Sequence, residues 1–144
     1  MARPDPYRLD PATYPHSETI QTRFQDLDTL GHINNVAMAA LFESGRVRFN
    51  QSMGLAEWRG HRWLIAQVEI NYIAEGKFPA DVEIASGIGE IGTRSWQILS
   101  AAFQGGAVIA TSDTVVVMSG ATGATALPDD FRAALEKYRV RPNP

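Results

Sequence analysis

The sequence predicts an α+β fold in which an antiparallel sheet packs on one long helix. A short strand pattern and a long helix pattern come first, and four consecutive strand patterns with short connections follow them. Successive strands joined by short turns pair as antiparallel neighbours. The 144 residues have room for one domain with one core. We therefore expect a single domain over residues 17–144, preceded by an N-terminal arm over residues 1–16.

The arm and the first strand come from composition and alternation. Four prolines within residues 1–16 exclude a regular helix and predict an extended segment: Pro4, Pro6, Pro11 and Pro15. Residues 17–25 place Ile20, Thr22 and Phe24 on one face, which predicts the first strand.

The helix pattern begins at Asn34 or Asn35, either of which can cap the first turn through its side-chain oxygen. One stripe recurs at helical spacing, through Met38, Phe42, Gly45, Phe49 and Met53. A second apolar face makes the first two turns apolar nearly all round, which predicts a buried helix. Gly45 within it indicates a close approach by another element, and Gly54 is a suitable stop.

The remaining elements follow in order. Residues 55–61 form a polar connection, and Gly105-Gly106 predicts a hairpin turn. Residues 119–127 read as a loop, and Pro128 opens a short C-terminal helix with two acidic residues in its first turn. Alternation of apolar and polar residues predicts strands over residues 62–75, 81–91, 94–104 and 107–118.

Composition excludes several function classes. Apolar residues make up 44% of the chain and charged residues 20%, as in an ordinary globular domain. A net charge of −3 gives no basic excess for a nucleic-acid backbone. The absence of cysteine excludes disulfides and a cysteine nucleophile. No spacing matches a metal-binding motif, and no cofactor is expected. No apolar run predicts a signal peptide or a membrane span, so we expect a cytoplasmic protein.

An unusual polar cluster stands directly before the helix. Five polar residues fall within ten positions there: Asp26, Asp28, His32, Asn34 and Asn35. The unpaired amides of a helix N-terminus favour negative charge, including a developing oxyanion. A carboxylate beside them can act as a base or as a nucleophile. The cluster is therefore the candidate active site.

The pattern D-x-D-x-x-G-H-x-N-N, followed by F-E-x-x-R on the helix, resembles the hotdog-fold acyl-CoA thioesterases of the hydroxybenzoyl-CoA thioesterase type. The resemblance covers about residues 18–118 and implies a five-stranded antiparallel sheet wrapped around one long central helix. Met38 stands where the family usually has Tyr, which leaves the shape of the acyl pocket open. The matching residues are Asp26, Asp28, Gly31, His32, Asn34, Asn35, Phe42, Glu43 and Arg46.

The resemblance implies roles for these residues. Asp28 is the catalytic carboxylate, acting as nucleophile or as the base for water. For Asp26 we expect a structural role, in which it holds the loop by binding backbone amides, and the alternative is that Asp26 is the essential acid. His32 hydrogen-bonds the carboxylate or the substrate, and the backbone N–H of Asn35 polarises the thioester carbonyl.

Further residues would contact the substrate: Gly31 and Asn34 in the loop, and Arg94 and Ser95 at coenzyme A. The run Ala37 to Ala40 with Met38 is a candidate wall of the acyl pocket, with core packing as the alternative. Lys77 is a further candidate cation, and for Arg94, Ser95 and Lys77 the alternative is a plain solvated role.

For Glu43 and Arg46, spaced three residues apart on the helix, the sequence favours a salt bridge or another structural role. The resemblance also implies at least a homodimer, with a homotetramer as the alternative. The family joins two sheets and forms its active sites at the interface, so Asp28 would face residues 63–67 of the other chain.

The function expected is hydrolysis of a small or medium acyl-CoA thioester. Three alternatives are an acyl-carrier-protein thioesterase, a hydratase or dehydratase on the same fold, and an acyl-CoA-binding or regulatory module. The D-x-x-P-x-H pattern of the hydratases is missing, because Asp28 is followed by Thr29-Leu30-Gly31-His32 without proline. The sequence leaves open the acyl length, the preference for aromatic or aliphatic groups, and the choice between nucleophile and base.

Overall fold

The computed structural model describes residues 3–55 and 61–142 as one antiparallel sheet packed on a long helix. The strand order is β1-β3-β4-β5-β2, and a two-residue strand, β6, pairs with β5. This confirms the predicted α+β hotdog fold. No helix among the described residues is long and apolar enough to cross a membrane. The elements are β1 (His16–Ile20), α1 (Asn35–Ser52), β2 (Arg62–Tyr72), β3 (Val82–Ile91), β4 (Ser95–Gln104), β5 (Ala107–Gly120), β6 (Gly123–Ala124) and α2 (Asp129–Glu136).

The core lies between α1 and the inner face of the sheet. α1 packs on β3, β1 and β4. One cluster surrounds Phe42 near the start of α1, and a second surrounds Phe49, with Phe131 and Leu135 of α2 closing its end. Close packing at Gly45 is confirmed, because a Cβ there would overlap the side chain of Ile84 on β3.

The N-terminal arm covers the outer face of the sheet. Its predicted extended conformation is wrong over Pro6–Leu9 and Pro11–Thr13, which form two 3-10 turns. The turns bury Arg8, which pairs with Asp113 at 2.7 Å and donates to the hydroxyl of Tyr14. Burial lowers the pKa of Arg8, but its contacts with Tyr14 and Asp113 outweigh burial and raise that pKa. The arm is therefore held to the sheet by the buried charge of Arg8, a contact that the prolines of the arm do not predict.

Two element boundaries differ from the sequence prediction. β1 ends at Ile20, and Phe24–Asp26 forms a 3-10 turn where a strand was expected. This turn forms because the Asp26 side chain accepts the backbone N–H of Arg23 at 2.8 Å. β5 continues to Gly120 and returns as β6, so only part of residues 119–127 is loop. Most of the predicted connection, residues 56–60, lies outside the described residues.

The expectation that the first turns of α1 are buried all round is wrong within one chain. Val36 is 81% exposed, and Ala39, Ala40 and Val47 are also exposed. The sheet covers only one side of α1, so the opposite side faces outward. Strand β2 is also exposed within one chain. It is an edge strand, and its Leu64 and Ile65, which point to opposite faces, are each 53% exposed.

We expect Gly45→Ala to destabilise the fold by up to about 2 kcal/mol, although Ala is the better helix former by about 1 kcal/mol. The added methyl group collides with Ile84, a fully buried β-branched residue that cannot move aside easily. Urea unfolding measures the change. Ser44→Ala on the exposed side of the same turn is the control and should be neutral or slightly stabilising; equal behaviour of the two variants would contradict the packing argument.

Candidate active site

A tight loop between the Phe24–Asp26 turn and α1 carries the candidate carboxylate. The backbone N–H of Asn34 donates to the carbonyl of Asp26 at 2.9 Å, and that of Asp28 donates to the carbonyl of His32 at 2.8 Å. Gly31 has φ +82°, a left-handed conformation that glycine adopts without steric cost. These two hydrogen bonds close the loop, one at its base and one nearer its tip, and the tip faces solvent.

Asp28 lies at this tip with an exposed side chain. Its Oδ1 accepts the backbone N–H groups of Leu30, at 2.8 Å, and of His32, at 3.2 Å. No donor among the described residues contacts Oδ2. One carboxylate oxygen therefore fixes the loop, and the other is available to a substrate or to water.

Asp26 is buried, with 3% of its surface exposed, and it is bound by Arg23. Its Oδ1 accepts from Nε of Arg23 at 3.1 Å and from Nη2 at 2.9 Å. Burial by itself raises the pKa of the Asp26 carboxyl, but the hydrogen bonds and charge of Arg23 outweigh burial and lower that pKa. These contacts are those of a residue that holds the loop.

The N-terminus of α1 faces the same region. Asn34 is the N-cap, and its Oδ1 accepts the N–H of Ala37 at 2.8 Å. The backbone N–H groups of Asn35 and Val36 have no acceptor among the described residues. Two amides at the positive end of the helix dipole are therefore free to bind an oxyanion.

An open groove of about 490 Å³ brings the carboxylate and the amides together. Its chemistry is mixed, with an apolar wall from the first turns of α1 and a polar wall from the loop. The lining residues are Arg23, Gln25, Asp26, Asp28, Asn34, Asn35, Val36, Ala37 and Ala40.

His32 makes its side-chain contact away from this groove. Its Nε2 lies 3.0 Å from Oε2 of Glu75, while its backbone N–H donates to Asp28. The imidazole is not part of the groove lining. In this structure His32 therefore fixes the loop, and its side-chain partner is Glu75.

Four other expected substrate-binding residues do not line the groove: Gly31, Met38, Arg94 and Ser95. Met38 is buried in the core cluster around Phe42 rather than lining the groove. Arg94 and Ser95 lie at the start of β4, whereas the Asp28 loop lies near its end. The carbonyl of Gly76 accepts the N–H of Ile33, and the next residue, Lys77, donates its N–H to the side chain of Gln104, the last residue of β4. Ten strand residues span about 30 Å, so one chain does not bring these two ends together.

Glu43 and Arg46 do not form an ion pair in the described part of the chain. Arg46 points into the core with 8% of its surface exposed, and Glu43 is exposed. Burial lowers the pKa of Arg46, and the charge of Glu43 opposes that effect. The pair is coupled by charge without direct contact.

The sequence profile of the thioesterase-like superfamily matches residues 22–135, which include the Asp28 loop, α1 and all four long strands. The chain belongs to the thioesterase-like superfamily. It is thus a thioester hydrolase with the hotdog fold, as the motif predicted. A search of curated protein sequences found no match.

Several solved structures resemble the chain over most of its length. The PA5185 protein from Pseudomonas aeruginosa strain PAO1 is 26% identical, with a TM-score of 0.80 over 91% of this chain and 96% of that one. A predicted thioesterase from Bacillus stearothermophilus is 29% identical, with a TM-score of 0.79 over 88% and 98%. A thioesterase from Thermus thermophilus, complexed with coenzyme A and Zn, is 23% identical and shares the fold, with a TM-score of 0.78 over 87% and 95%.

Sequence reasoning did not single out three residues that shape this site. Arg23 binds Asp26 and lines the groove, and its signal was a basic residue three positions before a buried acid. Val36 also lines the groove, and the only signal for it was its position in the first turn of the helix. Glu75, the partner of His32, had no signal, because the contact joins segments distant in sequence.

We expect Asp26→Asn to lower the free energy of unfolding by about 2 kcal/mol at neutral pH, since a hydrogen bond to a charged group contributes about 1.5–3 kcal/mol. The folded-state pKa of Asp26 is lowered, so its stabilisation is present above the unfolded pKa of about 3.9 and is lost as pH falls through the folded pKa. Unfolding at several pH values should show a shallower acid dependence in the variant. Asp81→Asn, at an exposed aspartate, is the control, and matching curves would contradict this role.

Proposed function

We propose that the chain hydrolyses an acyl-CoA thioester with Asp28 as the catalytic carboxylate. The observation that carries the proposal is the shared groove, which is lined by Asp28 and by the first residues of α1. A carboxylate with one free oxygen and two unpaired amides are the two components that acyl transfer to water requires.

The proposed chemistry places the thioester carbonyl oxygen at the N–H groups of Asn35 and Val36. Asp28 Oδ2 takes a proton from water as the water oxygen attacks the carbonyl carbon. The resulting oxyanion is stabilised by the two amides, where one such donor typically contributes about 3 kcal/mol. When the oxyanion collapses, the C–S bond breaks and the thiolate takes the proton from Asp28. In a covalent route, Oδ2 attacks the carbonyl carbon directly, the C–S bond breaks to release the thiolate, and water then hydrolyses the mixed anhydride on Asp28.

Support for coenzyme A as the thiol carrier comes from the relatives and from the open groove. The Thermus thermophilus thioesterase of the same fold was solved with coenzyme A bound. The groove is open to solvent beside Asp28, which leaves an exit for a long, polar thiol group. Location in the cytoplasm stays a prediction.

We further propose that two chains join through β2. This edge strand is eleven residues long and exposes large apolar side chains, Leu64, Ile65, Val68 and Tyr72. A long exposed apolar edge favours pairing with another strand. The other edge strand, β1, has only five residues and packs against α1, so β2 is the better surface for a second copy.

Antiparallel pairing of two β2 strands would also explain how Arg94 and Ser95 could reach a substrate although they lie far from the Asp28 loop of their own chain. In such a pair the strands of the second sheet run in the opposite direction. The start of β4 in the second chain therefore lies at the same end of the strands as the Asp28 loop of the first chain. Arg94 and Ser95 of the second copy would then flank the groove of the first. This supports their proposed contact with coenzyme A across the interface.

Asp28→Asn should lower the rate of acyl-CoA hydrolysis by about 10²–10⁴-fold, the usual cost of losing a positioned acid–base group. The amide oxygen of Asn can still accept the N–H groups of Leu30 and His32, so the loop should stay closed. Hydrolysis of short, medium, long and aromatic acyl-CoAs by the wild type and the variant measures this effect. Asp129→Asn, an exposed aspartate on α2, is the matched control.

The outcomes separate the competing functions. Activity that collapses in Asp28→Asn but not in Asp129→Asn supports the proposal and ranks the substrates. Unchanged activity in Asp28→Asn would rule out Asp28 as the catalytic carboxylate. Tight acyl-CoA binding without hydrolysis would favour the binding-module alternative, and cleavage of acyl-carrier-protein thioesters alone would favour a different thiol carrier.

Light scattering with size-exclusion chromatography should give at least twice the mass of the chain at micromolar concentration. Val68→Lys should shift the protein toward monomer, because the lysine charge would be buried at the β2 edge. Glu18→Lys on the opposite edge strand is the control and should leave the mass unchanged. A wild-type monomer would contradict the dimer.

A further inference from the structure

The connection between β2 and β3 supports the loop that carries Asp28. Oε2 of Glu75 in this connection lies 3.0 Å from Nε2 of His32. The carbonyl of the next residue, Gly76, accepts the N–H of Ile33 at 2.9 Å. Gly76 lies so close to the loop that a Cβ there would crowd the side chain of Ile33. Two adjacent residues of the connection therefore hold two adjacent residues of the loop.

The same connection is fastened to the sheet. The side-chain oxygen of Gln104, the last residue of β4, accepts the N–H of Lys77 at 2.9 Å. The side-chain nitrogen of Gln104 donates to the carbonyls of Lys77, at 2.7 Å, and Ala80, at 3.0 Å. The hydroxyl of Thr22 donates to the carbonyl of Ala80 at 3.0 Å. The support of the Asp28 loop is therefore itself fixed at the end of β4.

His32 connects this support to the carboxylate. Its backbone N–H donates to Oδ1 of Asp28 at 3.2 Å, and its carbonyl accepts the backbone N–H of Asp28 at 2.8 Å. Its imidazole is held by Glu75. A displacement of His32 would therefore move both the backbone and the carboxylate of Asp28.

The contact between Glu75 and His32 adds little to folding or to direct substrate binding. The side chain of Glu75 is 62% exposed and that of His32 is 32% exposed. An ion pair with this exposure contributes little to the stability of a fold. Neither residue lines the candidate active-site groove. What the contact does fix is the position of the loop.

We propose that Glu75 is a positioning residue, which acts through His32 to orient the carboxylate of Asp28. This rests on the proposed function, in which Asp28 is the catalytic group. While Glu75 holds the imidazole, the backbone N–H of His32 keeps Oδ1 of Asp28 on the loop and leaves Oδ2 for catalysis. Without that hold the carboxylate has more than one orientation, and a small misplacement of a reacting group lowers the rate steeply.

Glu75→Ala should lower kcat for acyl-CoA hydrolysis by about 10–100-fold and leave KM near the wild-type value, since a displacement of about 1 Å can cost about 10²-fold in rate. Glu75→Gln should recover most of kcat, because its side-chain oxygen can still accept from Nε2 of His32. Asp81→Ala removes an exposed acid from the end of the same connection and is the matched control. Steady-state kinetics with the acyl-CoA that the wild type hydrolyses fastest measure all three variants.

Two further measurements separate positioning from a loss of folding. In the Asp28→Asn background, Glu75→Ala should lower kcat no further, because residues that act as one unit have non-additive effects. Amide hydrogen exchange should be faster at Asp28 and His32 in Glu75→Ala, while the amides in the middle of α1 keep their wild-type rates. The urea midpoint of Glu75→Ala should stay close to that of the wild type.

Either of two results would overturn the role of Glu75: wild-type kcat in Glu75→Ala, or losses that add in the double variant, which would mean that Glu75 does not act through Asp28. Unchanged activity in Asp28→Asn would instead reject the proposed function. The exchange measurement does not depend on activity, so it shows separately whether Glu75 holds the loop, and unchanged exchange at His32 would contradict that hold.

Discussion

The candidate site depends on one hydrogen bond, from the backbone N–H of Asn34 to the carbonyl of Asp26 at 2.9 Å. It closes the loop that carries Asp28 and fixes where α1 begins. The side chain of Asn34 then caps the helix at Ala37, so one residue ends the loop and starts the helix. Together with the bond from the N–H of Asp28 to the carbonyl of His32, this closure holds the carboxylate and the helix amides in a fixed relation.

Burial on both sides keeps this closure rigid while Asp28 stays exposed. Ile33 enters the core and donates its N–H to the carbonyl of Gly76, and Asp26 is held beneath the surface by Arg23. The carboxylate of Asp28 at the loop tip is thus positioned by neighbouring residues that are themselves buried. A carboxylate on such a support keeps its hydration until a substrate arrives, and no reorganisation of the amides is needed at that moment.

Features set by local chemistry were predictable from the sequence. The positive φ at Gly31, the cap at Asn34 and the close contact at Gly45 follow from what single residues permit. Features set by distant partners were not. Arg8 donates to the carbonyl of Ser100, 92 residues away, and no local pattern marks that contact. For the site, the motif identified the loop but could not give the partner of His32 or the distance between that loop and Arg94.

The apolar residues of α1 reflect all the surfaces that the helix contacts, and the sheet of its own chain is only one of these surfaces. This is why a pattern apolar all round coexists with an outward face that is exposed. Side-chain size and position separate the remaining neighbours: Ala37 and Ala40 leave room for the candidate active-site groove beside the helix, whereas Val47 lies outside that groove and offers exposed contact area. Small residues thus favour a ligand, and exposed large ones, like those of β2, favour a second protein surface.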